Sequence, residues 1–339
     1  MLSRISSRPL HSLPLRSAAC GASGVYGRAT APTRKLHHDR RAFHSQQPRL
    51  DSSPTFQAHS RVTSPSPLEA TSNASAVVVN TDPNTGIATL TLRNNPVNSL
   101  TTEFMSEIAA AVQELSAGYP DVDGGARALL VRSECKAFSA GLNLESIAGA
   151  SEESLRPLSL ALRKLVLAFL TTPLPTVAEV TGSAIAGGAV IAMLCDQRVG
   201  LNDAKMRIGL SETSVGLPPP RFVTALAEDI LGKRGAYRHL MLGSLLSPED
   251  ALTAGYLDAV HADQTSVSSD AQSRLTHLAR IQAHARYSAK LQLRRSVFWA
   301  LGEDEDAFVA EMWELVSDPR TQEAVGRTWE ELQKKKRAR

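Results

Sequence analysis

The sequence predicts an α/β protein. Between residues 76 and 210, β-branched runs alternate with apolar stripes at helical spacing. No G-x-G-x-x-G follows the first strand, which disfavours a dinucleotide-binding sheet. From about Pro219 the pattern turns helical, apart from a short stretch near 255–261. At 339 residues, 42% hydrophobic and 21% charged, the chain has apolar material for a sizeable core.

The alternation starts only after a different kind of segment. Residues 1–50 hold eight arginines and one lysine against Asp39 alone, and are rich in Ser, Ala and Pro. Mitochondrial transit peptides have that composition. "RRAFHSQQ" (40–47) offers a matrix-processing site after Phe43, so 1–43 is expected to be a transit peptide to the mitochondrial matrix. Residues 44–74 are Ser-, Thr- and Pro-rich with little to bury, and are expected to be a disordered linker. Beyond residue 50 remain 28 of the 37 basic and 33 of the 34 acidic residues, a net of −5. A chain with that balance is not built for nucleic acid.

"AVVVN" (76–80) and "GIATLTL" (86–92) read as a hairpin around "TDPNTG". After the loop "NNPVNSL" (94–100), Thr101 or Thr102 can cap a helix through about Ser116, with Phe104, Ile108, Val112 and Leu115 on its buried face. "ARALLVRS" (126–133) is a buried strand, followed by the loop "ECKAFSAG" and a short helix near 143–149. A longer helix over 153–171 carries the stripe Leu158, Leu162, Leu165 and Phe169, and Pro173 ends it. "TVAEVTG" (176–182) returns as a strand, the next helix starts within "SAIAGGAVIAML" (183–194), and "QRVG" and "KMRIG" are short strands. A core of 75–265 and a helical region of 266–339 follow from this order. No stretch approaches the roughly 18 apolar residues of a membrane span.

Chemistry concentrates at two glycine-bearing strand exits and one lone acid. "AFSAGLNL" (137–144) and "GSAIAGGAVIAML" (182–194) each place bare backbone at a helix start, where N–H groups lack intrahelical acceptors and the dipole is positive. Two such groups aimed at one point make an oxyanion hole, and glycine lets a substrate approach the main chain. In "GLSETSVGLPPP" (209–220), Glu212 is the sole acid between Asp203 and Glu228. It is either a desolvated acid–base group or a capping or ion-pair partner.

The other reactive residues read as structural. Ser139 sits in no G-x-S-x-G elbow and more simply shapes its loop. His239, His261, His277 and His284 lack metal-ligand spacing, so no metal is expected. Cys195, inside an apolar run, reads as core. Trp299, Trp313 and Trp329 read as core or subunit contacts, and Phe222 and Phe298 as candidate pocket walls.

Taken together, "AFSAGLNL", "GSAIAGGAVIAMLCDQRVG" and "GLSETSVGLPPP" resemble, in order, the F-S-A-G-x-D-L signature, the G-x-A-x-G-G-G segment and the second catalytic loop of the crotonase (enoyl-CoA hydratase/isomerase) superfamily. The resemblance runs from about residue 76 to the C-terminus. It implies a spiral of ββα units with a C-terminal helical trimerisation region, hence a homotrimer. It also implies an acyl-CoA substrate whose CoA is carried by the substrate, so that no separate cofactor is needed. The thioester oxygen is then held by the amides of Ala140 and Gly187, with Gly141, Leu142, Asn143, Leu144 and Ser211 as further substrate contacts.

Hydratases of the family use two glutamates on a water molecule, and their positions match Val190 and Glu212. Valine can neither hold nor deprotonate water. "NNPVNSLTTEFMSEI" and "GLSET" are similar to the mitochondrial Δ3,Δ2-enoyl-CoA isomerases, which serve β-oxidation of unsaturated fatty acids. That likeness makes Glu212 the shuttle that moves a proton from C2 to C4 of a 3-enoyl-CoA. The alternatives are another acyl-CoA reaction of the family (hydration or thioester hydrolysis) and a non-catalytic RNA-binding relative. The negative balance beyond residue 50 speaks against the last. Asn143 replaces the signature's Asp, and either residue can cap the turn that follows.

Overall fold

The structure, a computed structural model, describes residues 75–119 and 125–337; the transit-peptide and linker expectations for 1–74 lie outside the described residues. One unit of construction recurs four times: a strand of a large sheet, then a short strand of two or three residues in a smaller sheet, then a helix or helical turn.

The first strand, β1 (Val77–Thr81), pairs antiparallel with β2 (Ile87–Leu92), forming the expected hairpin. After β2 come β3 (Ser99–Leu100) and α1 (Thr102–Ala117). Thr101 caps α1 by accepting from the Phe104 N–H at 3.2 Å, and Phe104, Ile108 and Val112 are buried as their spacing predicts. The second unit is β4 (Ala128–Ser133), β5 (Ala137–Ser139), β6 (Gly141–Leu142) and α2 (Glu152–Thr171). The third is β7 (Thr176–Val180), β8 (Ser183–Ile185) and α3 (Gly187–Leu194). The fourth is β9 (Gln197–Leu201), β10 (Ile208–Gly209), a 3-10 turn over Thr213–Val215 and α4 (Arg221–Leu242), which breaks at Gly232.

Beyond α4 lie α5 (Pro248–Ala254), the edge strand β11 (Ala259–His261), and helices α6 (Gln264–Arg280), α7 (Ala283–Leu293), α8 (Arg295–Leu301), α9 (Glu305–Ser317) and α10 (Pro319–Arg337). The six-stranded sheet runs β1-β2-β4-β7-β9-β11 and is parallel after its first pair. The smaller sheets, β10-β8-β5 and β3-β6, are parallel throughout. This is the ββα spiral that the resemblance implied.

Parallel strands are covered on both faces. Leu90, Leu129, Val131 and Ala178 face one side and join α1, α2 and α3 in the larger apolar cluster. Ile87, Leu130, Val177 and Val199 face the other, against Val267, Ala271 and Leu275 of α6. Two expectations need correction. "AFS" and "SAI" are strands rather than loop and helix start, and 143–149 holds only a 3-10 turn, Leu144–Ser146. Such strands are too short for a period-2 pattern to register. Asn143 does cap that turn, its Oδ1 accepting from the Glu145 N–H at 3.3 Å.

Candidate active site

Three strand exits of the smaller sheets meet at one cavity. The loop before β3 locks the first of them. Asn98, wholly buried with φ 51°, donates from Nδ2 to the Phe138 carbonyl (3.0 Å) and to Ser133 Oγ (2.8 Å). Ser139 Oγ donates to the Asn98 carbonyl at 2.7 Å and accepts from the Gly141 N–H at 3.2 Å. Ser139 therefore shapes the loop, as its surroundings in the sequence suggested.

The second exit explains the paired glycines. A Cβ on Gly188 would lie 2.2 Å from the Ser139 carbonyl oxygen, so α3 can begin this close to the first exit only with glycine there. Gly187 opens α3, where no intrahelical acceptor exists for its N–H. A Cβ on Gly187 would stand 3.5 Å from the Leu142 nitrogen, and one on Gly141 would stand 3.0 Å from the Gly187 nitrogen. The two exits thus present their main chains to each other at contact distance.

The assignment of Ala140 as an oxyanion donor is corrected by this geometry. Its N–H already donates to the Val97 carbonyl at 3.0 Å. In the β3–β6 ladder, the Leu100 carbonyl accepts from the Asn143 N–H at 3.1 Å, with Leu100 opposite Leu142. A parallel ladder uses alternate amides of each strand. The Leu142 N–H is therefore directed away from β3, on the side where Gly187 approaches. Leu142 and Gly187 are the pair of amides positioned to share an oxygen.

Between β8 and Gly187, Ala186 has φ 50° and ψ −120°, a conformation costly for a residue with a Cβ, and its N–H donates to the Gly209 carbonyl at 2.9 Å. Strain of this kind accumulates at functional turns. Ala186→Gly is expected to raise the melting temperature by roughly 2–4 °C, the effect of relieving about 1 kcal/mol in a domain this size. Calorimetry of the two proteins checks this.

The third exit delivers the acid. Glu212 starts the 3-10 turn, and its carbonyl accepts from the N–H groups of Val215 (3.1 Å) and Leu217 (3.0 Å). Thr213 Oγ1 donates to the Leu240 carbonyl, tying the turn to α4. Glu212 is only 7% exposed, and its Oε2 has no hydrogen-bond partner within the protein. Burial pushes its carboxyl up to about 7, outweighing the opposing effect of its own backbone N–H. No cation pairs with Glu212 among the described residues, which removes the ion-pair alternative.

Glu212 borders a cavity of about 360 Å³, within the usual range for small-molecule sites. Ala140, Leu142, Leu144, Gly187, Val190 and Ser211 line it too, whereas Gly141 and Asn143 do not. Gly141 is buried beneath the exit and Asn143 is spent on its cap. Among the described residues Glu212 is the only ionisable one in the lining, and Val190, at the position that matched the second glutamate of the family's hydratases, is an apolar part of that lining.

Phe222 is a wall as expected, its ring 6.1 Å from that of Phe308, but Phe298 is not. No tryptophan lines the cavity. Trp299 is 72% exposed with the Arg295 guanidinium over its ring at 4.6 Å, which takes it out of the core. Sequence reasoning missed the roof: Met312 and Val316 of α9, and Thr328 and Leu332 of α10, close the cavity from a hundred or more residues beyond Glu212. Only the apolar spacing of those helices hinted at a buried face.

Among the described residues no group of three or more His, Cys, Asp or Glu could hold a metal, and no helix is long and apolar enough to cross a membrane.

Comparison with known proteins bears on this site. The family model for enoyl-CoA hydratase/isomerase matches residues 82–325. Mouse "Enoyl-CoA delta isomerase 1, mitochondrial" is 31% identical over 261 residues, covering 77% of this chain and 88% of that protein. The crystal structure of human mitochondrial delta3-delta2-enoyl-CoA isomerase superposes with a TM-score of 0.73 at 30% identity, over 77% of this chain and all of that one. A probable enoyl-CoA hydratase of Bacillus subtilis is 28% identical over 199 residues, 55% of this chain and 70% of that protein.

Proposed function

The chain belongs to the enoyl-CoA hydratase/isomerase (crotonase) family, and from that membership we propose that it shifts the double bond of a 3-enoyl-CoA to the trans-2 position. The observation that carries this reading is the single carboxylate. Glu212 and Val190 line the same apolar cavity, and among the described residues no second acid lines it to hold a water for addition.

Glu212, as the carboxylate, takes the proton from C2. The electron pair spreads over C2, C4 and the thioester oxygen, where the Leu142 and Gly187 amides stabilise the charge. The carboxylic acid so formed returns the proton to C4, and the double bond comes to rest between C2 and C3. One group at a pKa near 7 suits both halves, being basic enough to accept and acidic enough to give back. No cofactor is required beyond the CoA that the substrate carries.

The names of the mouse and human relatives support the same reaction and a mitochondrial address. The acid-poor, arginine-rich first fifty residues support import into the matrix. Exposed Tyr237, Met241 and Leu242 on α4 support assembly with further copies, for which a homotrimer is our reading. β-Oxidation of unsaturated fatty acids is the process this reaction serves.

Purified protein is expected to convert 3-hexenoyl-CoA to the conjugated 2-enoyl ester, followed by absorbance of the conjugated thioester, and to leave 2-hexenoyl-CoA unhydrated. Hydration of the second without turnover of the first would make the protein a hydratase and end this reading.

A further inference from the structure

Helix α3 is met at its two ends by unlike partners. Its first N–H, that of Gly187, borders the cavity, and its last turn is met by buried cations. Arg294, between α7 and α8, donates from Nη2 to the Met193 carbonyl at 2.9 Å. Arg198 of β9 donates from Nη1 to the Cys195 carbonyl at 3.0 Å. Carbonyls at that end lack intrahelical donors and carry the negative pole of the helix.

Two of the cations there are buried together with a counter-charge. Arg198 lies 2.7 Å from Asp258, and Lys290 lies 3.2 Å from Asp196. Arg294 differs: it is 8% exposed, yet no carboxylate pairs with it among the described residues. Asp196 is engaged by Lys290 and the Thr176 N–H, and the exposed Asp229 by Ser296 Oγ. Burial, and then the Arg198 charge, hold the Arg294 guanidinium below its usual range, but a guanidinium stays protonated at any ordinary pH. An unpaired buried charge is costly, so this one is kept against a penalty. Along α3 it faces the charge that the reaction creates, on an oxygen at Gly187. The rise of eight residues and a hydrogen bond at each end put that oxygen roughly 15 Å away.

Resting on the isomerase reading, we propose that Arg294 is a positioning residue acting through α3, its charge at the carboxyl end strengthening the Gly187 N–H as a donor to the thioester oxygen as that oxygen becomes negative. At an effective dielectric near 20, a unit charge at that distance changes the rate by roughly five- to tenfold. A neutral thioester gains far less than the developing oxyanion, so the effect falls on kcat and not on binding.

The test compares Arg294→Gln, which can still donate to the Met193 carbonyl but is neutral, with Arg294→Lys, which keeps the charge. On 3-hexenoyl-CoA, kcat is expected to fall roughly five- to tenfold in the glutamine variant and to recover to within about twofold of wild type in the lysine variant. Kd for hexanoyl-CoA, which binds but cannot be isomerised, is expected to stay within about twofold in both. The infrared carbonyl band of hexanoyl-CoA, isotopically labelled at its thioester carbon, gives a readout that needs no turnover. Bound to wild type, the band is expected below that of the free ester, because the amides polarise the carbonyl. In Arg294→Gln it is expected to move part of the way back, and in Arg294→Lys to return to the wild-type position.

An equal loss in both variants would make Arg294 a mechanical clamp and overturn the proposal, as would an unchanged kcat and band in Arg294→Gln. If Arg294→Gln does not fold, Lys290→Met leaves Asp196 to offset the Arg294 charge and is expected to lower kcat and move the band in the same direction. No change in either would overturn the proposal. A band that follows the Arg294 charge in a protein that turns over no 3-enoyl-CoA would uphold this role and remove the isomerase. Turnover of 3-hexenoyl-CoA with kcat and band indifferent to that charge would do the reverse.

Discussion

Replacing Glu212 with Gln is expected to lower kcat on a 3-enoyl-CoA by roughly 10²–10⁴-fold, the usual weight of a positioned general base, and to make the protein more stable above pH 7. The two effects have one origin. The buried carboxyl is held near 7 instead of its ordinary 4.5, because desolvation penalises the charged form. Below pH 4.5 the group is protonated in folded and unfolded chains alike and contributes nothing. As pH rises from there towards 7, the unfolded chain ionises freely while the folded one resists, so stability is lost across that window. The loss is complete above 7, and a rise from 4.5 to about 7 corresponds to roughly 3 kcal/mol.

A glutamine avoids that loss, so denaturant titration at pH 8 is expected to show Glu212→Gln more stable than wild type, with the difference vanishing below pH 4.5. The wild-type kcat/KM is expected to rise with pH through a midpoint near 7, because only the carboxylate accepts a proton. Saturated acyl-CoA should bind the variant about as well as wild type. Persistent turnover in Glu212→Gln would place the base elsewhere.

The second large effect belongs to Gly141→Ala. Gly141 has φ 84°, and a Cβ there would meet the Ile185 carbonyl at 2.9 Å and the Gly187 nitrogen at 3.0 Å. Both neighbours are backbone, so neither yields as a flexible side chain does. The added methyl separates the two strand exits and pulls the Leu142 and Gly187 amides off a common point. The expected loss in kcat is roughly 10²–10³-fold, the effect of removing one oxyanion donor. KM should change less than kcat, since the apolar walls from α2, α4, α9 and α10 keep their places and only the strand-exit edge of the cavity shifts.

The pH midpoint should stay near 7, because Glu212 keeps its surroundings. That invariance separates a displaced amide from a general loosening of the site, in which water would reach the carboxyl and lower the midpoint. Steady-state kinetics across pH 5.5–8.5 reads both. A variant with unchanged kcat would show that the two amides do not act together.

Much of this was legible in the chain itself. Thr101 before Phe104, Ile108 and Val112, and Pro173 after the α2 stripe, announce helices because capping and apolar period act within a few residues. Glu212 stood out because no other acid lies near it in sequence, and burial then makes that isolation chemical.

What was not legible depends on contacts between distant segments. The sequence shows a bare turn at 139–142, but only the pairing of β3 with β6 and the Val97 carbonyl decide which amide remains for substrate. The two- and three-residue strands follow from that pairing too, and carry no pattern of their own. The roof from α9 and α10 is the same case at longer range: a Leu332 spaced for a helix face does not say which surface the face meets.

The large sheet also acts as a partition. On one side lie the cavity, the strand exits and the helices that wall them. On the other, Ile87, Leu130, Val177 and Val199 pack against α6 through Val267, Ala271 and Leu275. Substitutions in that rear compartment alter how firmly the scaffold holds without touching an atom that faces substrate. Lineages can therefore drift there at little catalytic risk, and an engineer can look there first for added robustness.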